Sequence, residues 1–306
     1  MSLSEDARAE LAAIEPRKAC CRLAELSALV RSAGSVHLLG RGRIALHLEL
    51  GSAGVARRAV ALLHAYGVAC EIRTFRRRAF DGATRYQLHL GDDQRSVEAL
   101  TAAGILGPGH RPLARPPARV TGRSCCRAAY LRGAFLAAGS VSGPRSAHLE
   151  LRTVDLEGAR QLARVAAPEG FTLGVLERRG HALAYAKGTE TIADLLAFLG
   201  ASDAALGLGE QAVVAATRAQ ANRLANADHA NLRRSSRAAE AQMRAIERLR
   251  NDGRLEHMRP ELREIAELRL RHPTLPLRDL AGRCRPATTK AAAHRRLAKL
   301  QRLADA

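Results

Sequence analysis

Apolar positions along the N-terminal two-thirds of the chain switch repeatedly between a helical spacing and a strand spacing. Val55, Ala59 and Leu62 fall on one face of a helix over 54–66, whereas apolar and polar residues alternate over 43–50, as in a half-buried strand. The pattern predicts, in order, a helix, two strands, a helix, two strands and a closing helix. The predicted helices cover 18–33, 54–66 and 96–105, and the predicted strands cover 36–39, 43–50, 68–75 and 84–90.

The same order of elements returns in a second half. Segment 125–141 repeats segment 20–36 without a gap, from Cys-Cys-Arg to Ala-Gly-Ser-Val. We expect Gly34 and Gly139 to end the repeated helices with a positive φ angle. A repeat of about a hundred residues is too long for a solenoid unit and indicates a duplicated half-domain. The predicted helices of the second half cover 125–138, 156–166 and 190–199, and its strands lie near 141 and over 148–153, 171–177 and 182–187.

Two segments outside the duplicated pattern have a composition of their own. Proline and glycine are frequent in 107–122, which predicts a connector without regular secondary structure. Segment 211–249 contains neither residue, which predicts one or two long helices. Asparagine is frequent within that segment, and asparagine disfavours helix interiors. We therefore expect a polar turn or a ligand contact around 226–231.

The last part of the chain has the rhythm of a helix-turn-helix. Helices are predicted over 261–270 and 277–283, followed by a turn at 284–286, and Thr288 is expected to cap a third helix that reaches Leu303. One side of this third helix is apolar and the other is cationic, as a DNA-recognition helix requires, although a solvated helix of an ordinary bundle would look the same. The apolar stripe consists of Ala293, Leu297, Leu300 and Ala304, and the other side carries Thr288, Ala291, Arg295, Lys299 and Arg302, flanked by Lys290 and His294.

The net charge narrows the class of partner. The 306 residues carry a formal charge of +19, which favours either nucleic acid or an anionic membrane surface. The excess is densest at the end, where residues 218–306 hold 21 Lys and Arg against 10 Asp and Glu. The basic helices lack the aromatic and leucine-rich face that a membrane-surface helix buries, so we expect no membrane partner. Aromatic residues make up only 3% of the chain, too few for a single-strand binder that stacks bases, and double-stranded DNA is the expected partner.

Other kinds of site lack their usual sequence signal. The chain has no glycine-rich phosphate-binding motif, so we expect no nucleotide and no small-molecule substrate. It has no run of about 18 apolar residues, so we expect a cytoplasmic protein. The six cysteines show neither CxxC spacing nor a His/Cys cluster, so we expect small buried residues at helix starts, no metal and no cofactor. They are the adjacent pairs Cys20–Cys21 and Cys125–Cys126 and the single residues Cys70 and Cys284.

Segments Leu26–Gly34 and Leu131–Gly139 resemble the LAGLIDADG motif of homing endonucleases. The resemblance implies two helices that pack through small residues at a pseudo-dyad, with saddle-shaped antiparallel sheets that straddle DNA. In that family the penultimate motif residue is an acid that binds Mg²⁺ for phosphodiester hydrolysis, whereas here it is Ala33 and Ala138. Alanine offers no oxygen ligand, and neither 26–36 nor 131–147 contains an Asp or Glu. We therefore expect the fold without the nuclease activity and without catalytic residues.

Three blocks of sequence extend the resemblance to nearly the whole chain. The blocks are Cys125-Cys126-Arg127 with the helix continuing to Ala137, then Asn222-Arg223 with Asn226, Asp228, Ala230 and Asn231, and finally Leu262–Leu300. In this order along the chain, they resemble the WhiA family of bacterial sporulation and cell-division regulators. Two departures stand out, because Ala227 occupies a position where the family usually has Cys and Ala293 replaces an Asn expected before His294-Arg295.

The resemblance implies a transcription regulator of cell division, chromosome segregation or sporulation, nucleoid-associated and bound to double-stranded DNA. The implied fold class is α+β: a pseudo-symmetric duplicated αββαββα domain followed by an all-α helix-turn-helix domain. In the tail, the expected DNA contacts are Arg278, Thr288, Thr289, Lys290, His294, Arg295 and Lys299. In the duplicated domain, the expected phosphate-backbone contacts are Arg41, Arg43, Arg76, Arg77 and Arg78, with solvated loop residues as the alternative. In the linker, the residues of interest are Asn222, Arg223, Asn226, Asp228 and Asn231.

The sequence leaves one other function open. The duplicated domain could bind a regulatory protein, so that the molecule is an interaction scaffold whose basic tail binds DNA without sequence preference. An active nuclease is not expected, for the reason given above. The expected domains are a lead-in (1–17), a first LAGLIDADG-like half (18–106), a connector (107–122), a second half (123–209), a helical Asn-rich linker (210–258) and the helix-turn-helix domain (259–306).

Overall fold

A computed structural model describes residues 2–40, 43–76 and 83–306. The chain divides into two compact units, Met1–Ala216 and Thr217–Ala306. Within the described residues, none of the helices combines the length and the apolar character that spanning a membrane would require. The expected α+β class is confirmed, and the positions of the domain boundaries stay predictions.

A helix that the sequence analysis did not predict opens the first unit. It is α1 (Leu3–Ala13), and a capping box starts it, because Ser2 accepts a hydrogen bond from the Glu5 backbone while the Glu5 carboxylate accepts one from Ser2 N at 2.9 Å. Ala7 and Leu11 are fully buried. The Ser4 hydroxyl also donates to the Val141 carbonyl at 2.7 Å, which ties the helix to the second half.

The first half has the predicted order of elements. Helix α2 is followed by two strands, a helix, two strands and a closing helix. These are α2 (Ala19–Ala33), β1 (Gly34–Gly40), β2 (Arg43–Leu50), α3 (Ala53–His64), β3 (Glu71–Arg76), β4 (Thr84–Leu90) and α4 (Gln94–Ala102).

The connector contains more regular structure than its composition indicates. Residues Pro108–His110 form a 3₁₀ turn and Ala118–Thr121 form the short helix α5, so the expectation of no regular element was wrong. The guanidinium of Arg31 fixes this segment, since it donates to the carbonyls of Gly104 at 2.6 Å and Leu113 at 2.8 Å. A half-buried side chain from α2 thus holds in place a segment whose proline and glycine content predicts no regular structure.

The second half repeats the first, as the duplication predicts. Asp155 caps α7 as expected, accepting a hydrogen bond from Gly158 N at 2.8 Å. The elements are α6 (Ser124–Ala138), β5 (Gly139–Ser142), β6 (His148–Thr153), α7 (Leu156–Ala166), β7 (Gly174–Arg178), β8 (His181–Lys187) and α8 (Thr189–Leu199).

The described strands form two antiparallel sheets with the same strand order, β1-β2-β4-β3 and β5-β6-β8-β7. Alternation along β2 buries Ile44, Leu46, Leu48 and Leu50 and leaves the intervening residues on the other face. Each sheet therefore covers the helices with one face and presents a more polar face outward, which is the layer arrangement that the resemblance implies.

Helices α2 and α6 pack against each other at the centre of this unit. Gly133 lies in close contact with α2, since an added Cβ would stand 2.4 Å from the Glu25 carbonyl oxygen and 3.1 Å from the Ala28 Cβ. The expectation of a positive φ at Gly34 and Gly139 was wrong, since their φ angles are −100° and −81°. At Gly34 an added Cβ would lie 2.4 Å from the Val30 carbonyl oxygen, so close packing explains the glycine.

A single helix, α9 (Ser202–Asn251), continues through the Asn-rich segment. The polar turn expected around 226–231 was therefore wrong. In the second unit the end of α9 packs with α10 (Pro260–Arg271), α11 (Leu277–Gly282) and α12 (Lys290–Asp305). The core of this unit contains Ile246, Leu249, Leu262, Ile265, Ala266, Leu280, Ala281, Cys284, Ala293, Leu297 and Leu300.

Candidate nucleic-acid interface

The junction between α10 and α11 is held by a buried arginine. Arg269 is 2% exposed and donates to the Leu275 carbonyl at 2.8 Å, and burial lowers the pKa of its guanidinium. This contact fixes the loop that leads into α11. The predicted turn at Cys284-Arg285-Pro286 follows α11, and Thr289 begins α12 by accepting a hydrogen bond from Ala292 N at 3.2 Å. The expected cap, Thr288, was therefore one residue too early.

The exposed side of α12 carries most of the predicted DNA contacts. The apolar residues Ala293, Leu297 and Leu300 are fully buried, which fixes the rotation of the helix about its axis. The first turn of the helix contains no acid, so its positive end and its cations add their attraction for phosphate. Thr288 is half-buried, whereas Arg278, Thr289, Lys290, His294, Arg295 and Lys299 are exposed.

Ala293 takes no part in this exposed face. It lies wholly inside the core of the second unit, although the family resemblance expected an Asn there. A residue at that position packs in the core of the second unit and is not part of the exposed face of α12.

The predicted linker residues lie along one continuous exposed stretch of α9. Asn222, Arg223, Asn226, Asp228 and Asn231 are all exposed, and the Asn231 side chain accepts a hydrogen bond from Arg234. Asn222 and Asn226 are four residues apart and so share a helix face. Their role as a ligand contact stays a prediction.

Of the predicted arginines of the first half, the structure describes Arg43 and Arg76. Arg43 forms an ion pair with Asp92 at 2.5 Å, which raises the pKa of its guanidinium. Arg76 ends β3, and because strand residues alternate between faces it lies on the face opposite Arg73. Arg41, Arg77 and Arg78 lie outside the described residues.

A row of histidines on the outer face of the first sheet was missed by sequence reasoning. The ring centroids of His37 and His47 are 4.7 Å apart, and those of His47 and His89 are 4.2 Å apart. The pairing of His47 with His89 across β2 and β4 creates this contact. Burial, and then repulsion from the neighbouring His89, His37 and Arg73, lower the pKa of His47. Strand alternation could have placed each histidine on this face but not beside the others.

The outer face of the second sheet has a related set of side chains. His148 lies beside Tyr185, with ring centroids 5.5 Å apart, and the Lys187 ammonium stands 5.4 Å from the centre of the Tyr185 ring. His148 also contacts Glu150, at 2.9 Å. Both sheets thus offer basic and aromatic side chains on the face that points away from the helices.

The end of the helix pair where the LAGLIDADG resemblance places acids carries Ala33 and Ala138, which supply no metal ligand. The groove beside this end of α2 is lined by Arg31, Gly34, Tyr130 and Asp155. Asp155 is an acid that the local sequence window did not include, but its carboxylate is used to cap α7. Among the described residues that line this groove, no second acid accompanies Asp155 to fix Mg²⁺.

The opposite end of the helix pair corrects the expectation of no His/Cys cluster. The sulfurs of Cys20, Cys21, Cys125 and Cys126 all lie within 4.8 Å of one another. Burial raises the pKa of Cys21 to about 11 and that of Cys126 to about 12. Burial opposes ionisation of Cys20 as well, but hydrogen bonds from the other thiols and the charge of Arg123 lower its pKa overall. Each cysteine pair is inconspicuous in the sequence, and only the helix packing brings the two pairs together.

Family models match three successive segments of the chain. The WhiA N-terminal LAGLIDADG-like domain matches residues 19–106, the WhiA LAGLIDADG-like domain matches 127–218, and the WhiA C-terminal HTH domain matches 221–304. The segments follow one another in the order that the sequence resemblance implies.

Two relatives and one solved structure are similar to this chain over its whole length. A "Probable cell division protein WhiA" from Symbiobacterium thermophilum is 37% identical, over 100% of this chain and 98% of its own. Another protein of the same name, from Heliobacterium modesticaldum, is 36% identical over 100% of this chain and 97% of its own. The crystal structure of full-length DUF199/WhiA from Thermatoga maritima superposes with a TM-score of 0.58 at 21% identity, covering 100% of this chain and 98% of the other. At that identity the structural likeness shows the fold alone.

Proposed function

The chain belongs to the WhiA family, and we propose that it is a sequence-specific DNA-binding regulator of cell division without nuclease activity. The observation that carries the proposal is the exposed row Lys290, His294, Arg295 and Lys299 on α12, backed by a fully buried apolar stripe. The names of the two relatives support the cell-division role. Transcription regulation, chromosome segregation, sporulation and association with the nucleoid are the finer roles that the family resemblance adds.

In this proposal α12 enters the major groove and its N-terminal half contacts base edges. Arg295 lies just over one turn from the start of the helix, next to His294. From such a position an arginine can bind guanine through two hydrogen bonds. Lys290 belongs to the same set of major-groove contacts, whereas Lys299 and Arg278 contact phosphates, which fixes the register of the protein on the duplex but carries no sequence information. The outer faces of the two sheets offer further basic side chains, such as Lys187, for contacts with phosphates.

Fluorescence anisotropy with duplexes from the protein's own genome, including its upstream region, tests this proposal over a range of salt concentrations. Arg295→Ala should weaken binding to a preferred duplex by about 1–3 kcal/mol and relax its sequence preference. Arg263→Ala is the matched control, because Arg263 is an exposed cation on α10 and its loss changes the net charge equally. It should leave the preference for sequence intact.

Two results would contradict the proposal. If wild-type protein bound every duplex alike, with a steep salt dependence, the charge would act without sequence preference and the scaffold alternative would be favoured. If purified protein cut duplex DNA with Mg²⁺, and EDTA stopped the cutting, the argument from Ala33 and Ala138 would fail. Alanine at those two positions leads us to expect no such cleavage.

A further inference from the structure

The four clustered cysteines occupy equivalent positions on two equivalent helices. Cys20 and Cys21 lie in the first turn of α2, and Cys125 and Cys126 lie in the first turn of α6. Each helix supplies one half-buried and one buried cysteine. Cys21 also approaches the Cys125 backbone carbonyl, with 3.5 Å from sulfur to oxygen. Neither half of the duplicated domain has four thiols alone, so the cluster exists only where the halves meet.

We propose that Cys20, Cys21, Cys125 and Cys126 bind a single zinc ion that joins the N-termini of α2 and α6. Four sulfurs arranged tetrahedrally about zinc at about 2.3 Å lie roughly 3.8 Å apart. The observed upper limit of 4.8 Å exceeds this by a distance that side-chain rotation can close. Four thiolates select soft or borderline ions and disfavour Mg²⁺ and Ca²⁺, which require oxygen ligands.

The helix ends beside the cluster favour thiolate ligands, whereas burial opposes them at Cys21 and Cys126 by raising the pKa of both thiols. No acid occurs in the first turn of either helix, and no side chain caps the free backbone N–H groups there. The positive ends of both helices therefore face the sulfurs and stabilise negative charge. One nearby acid, Glu169, is engaged by Arg127 at 2.5 Å and by Ser124 at 2.9 Å, so it is held by other partners. When the ion binds, the thiol protons pass to solvent.

The geometry separates this site from two other uses of the same cysteines. An iron–sulfur cluster places several iron and sulfide atoms between its four cysteine sulfurs, which requires a wider spacing than the one present. Disulfides between the helices would remove the thiolates and need an external oxidant. The site is also distinct from the DNA-binding surface and from the end of the helix pair where nucleases of this fold hold Mg²⁺.

Metal analysis of the full-length protein, purified without air from cells supplied with zinc, tests the proposal. We expect one equivalent of zinc per chain and no acid-labile sulfide. After chelation, titration with Co²⁺ should give the thiolate-to-cobalt absorption of a tetrahedral site, saturating at one equivalent and reversed by Zn²⁺. Zinc should also protect four of the six thiols from a thiol reagent. This set of measurements uses wild-type protein and so does not depend on the folding of any variant.

Cys20→Ser and Cys125→Ser remove equivalent ligands from the two helices and should weaken zinc binding equally. The loss should exceed the roughly 10–100-fold that removal of a supporting hydrogen bond costs. Cys70→Ser is the control, because Cys70 lies in the same unit but outside the cluster. Absence of bound zinc together with a flat Co²⁺ titration would overturn the proposal. So would peptide mapping that finds disulfides between the helices in protein kept from air.

Discussion

Helices α2 and α6 share the same residues near both ends and differ at several positions in the middle. Both begin with Cys-Cys-Arg and both end with Ala-Gly-Ser-Val, counting the first strand residues. In between, Glu25 of α2 corresponds to Tyr130 of α6, and Ser27 corresponds to Arg132. The repeated ends begin the helix and lead from it into the first strand in both halves. The residues in the middle differ where the two helices pack against each other.

The differing residues form one asymmetric network. The Glu25 carboxylate is fully buried and accepts hydrogen bonds from Arg58 Nε at 2.7 Å and Arg132 Nε at 2.8 Å. Arg132 belongs to the second half and also donates to the Leu199 carbonyl at 3.1 Å. A symmetric duplication would place two such carboxylates in one core, which costs a large desolvation free energy. Because the two helices carry different residues at these positions, the duplicated domain is a single unit whose halves are not interchangeable.

The largest expected effect comes from removing the shared carboxylate. Glu25→Ala leaves the guanidinium groups of Arg58 and Arg132 buried without their anion, and we expect a loss of about 3–5 kcal/mol in the free energy of unfolding. Chemical denaturation of the full chain measures it. Tyr130→Phe is the matched control at the equivalent position, where burial raises the pKa of the phenol to about 12. It keeps the ring packing and should cost far less, and similar losses in the two variants would show that the network contributes nothing specific.

A substitution where α2 and α6 cross should have a smaller effect on the free energy of unfolding. An alanine Cβ at Gly133 would meet the Glu25 carbonyl oxygen at 2.4 Å, so Gly133→Ala must push α2 and α6 apart. We expect a destabilisation of about 1–3 kcal/mol, measured by the same denaturation. The equivalent position on α2 already carries a Cβ, and Ala28→Gly should cost only the roughly 0.5–1 kcal/mol of a glycine within a helix. A neutral Gly133→Ala would mean that the crossing is looser than the structure shows.

Local periodicity made most of the fold predictable. The repeated helix and the alternating strands, such as β2 with Leu46 and Leu48 inward, follow from residues close together in the sequence. The helix α1 was missed because charged residues are frequent in it and only two of its residues, Ala7 and Leu11, are fully buried. The turn expected near Asn226 is absent because an exposed stretch of a long helix tolerates asparagine.

The candidate sites were predictable only in part. The cationic side of α12 could be predicted because its residues share one helix. The ordered connector depends on Arg31, and the thiol cluster depends on cysteines of two helices. Neither contact has a sequence pattern, because each joins segments whose proximity is set by the packing of α2 and α6. The same holds for His37, His47 and His89, which three different strands bring together.

The smallest expected effect is on the pH dependence of the unfolding free energy, and it distinguishes the outer faces of the two sheets. His47 is surrounded by His37 from β1, His89 from β4 and Arg73 from β3, and its pKa in the folded protein is lowered by burial first and by these neighbours next. The folded state therefore takes up the His47 proton less readily than the unfolded chain does. The stabilising effect of neutral His47 is fully present above the unfolded pKa of about 6.5 and is lost as the pH falls through the lower folded value.

His47→Gln should accordingly make the unfolding free energy less dependent on pH between neutral and mildly acidic solution. His229→Gln is the control, because His229 is exposed on α9 and the substitution removes one histidine elsewhere in the chain. In the second sheet the corresponding His148 contacts Glu150, so a carboxylate replaces the histidine neighbours that surround His47. His148→Gln removes the corresponding histidine of the second sheet and tests whether the change is confined to His47. An unaltered pH dependence in His47→Gln would show that the histidine row imposes no charge repulsion on the first sheet.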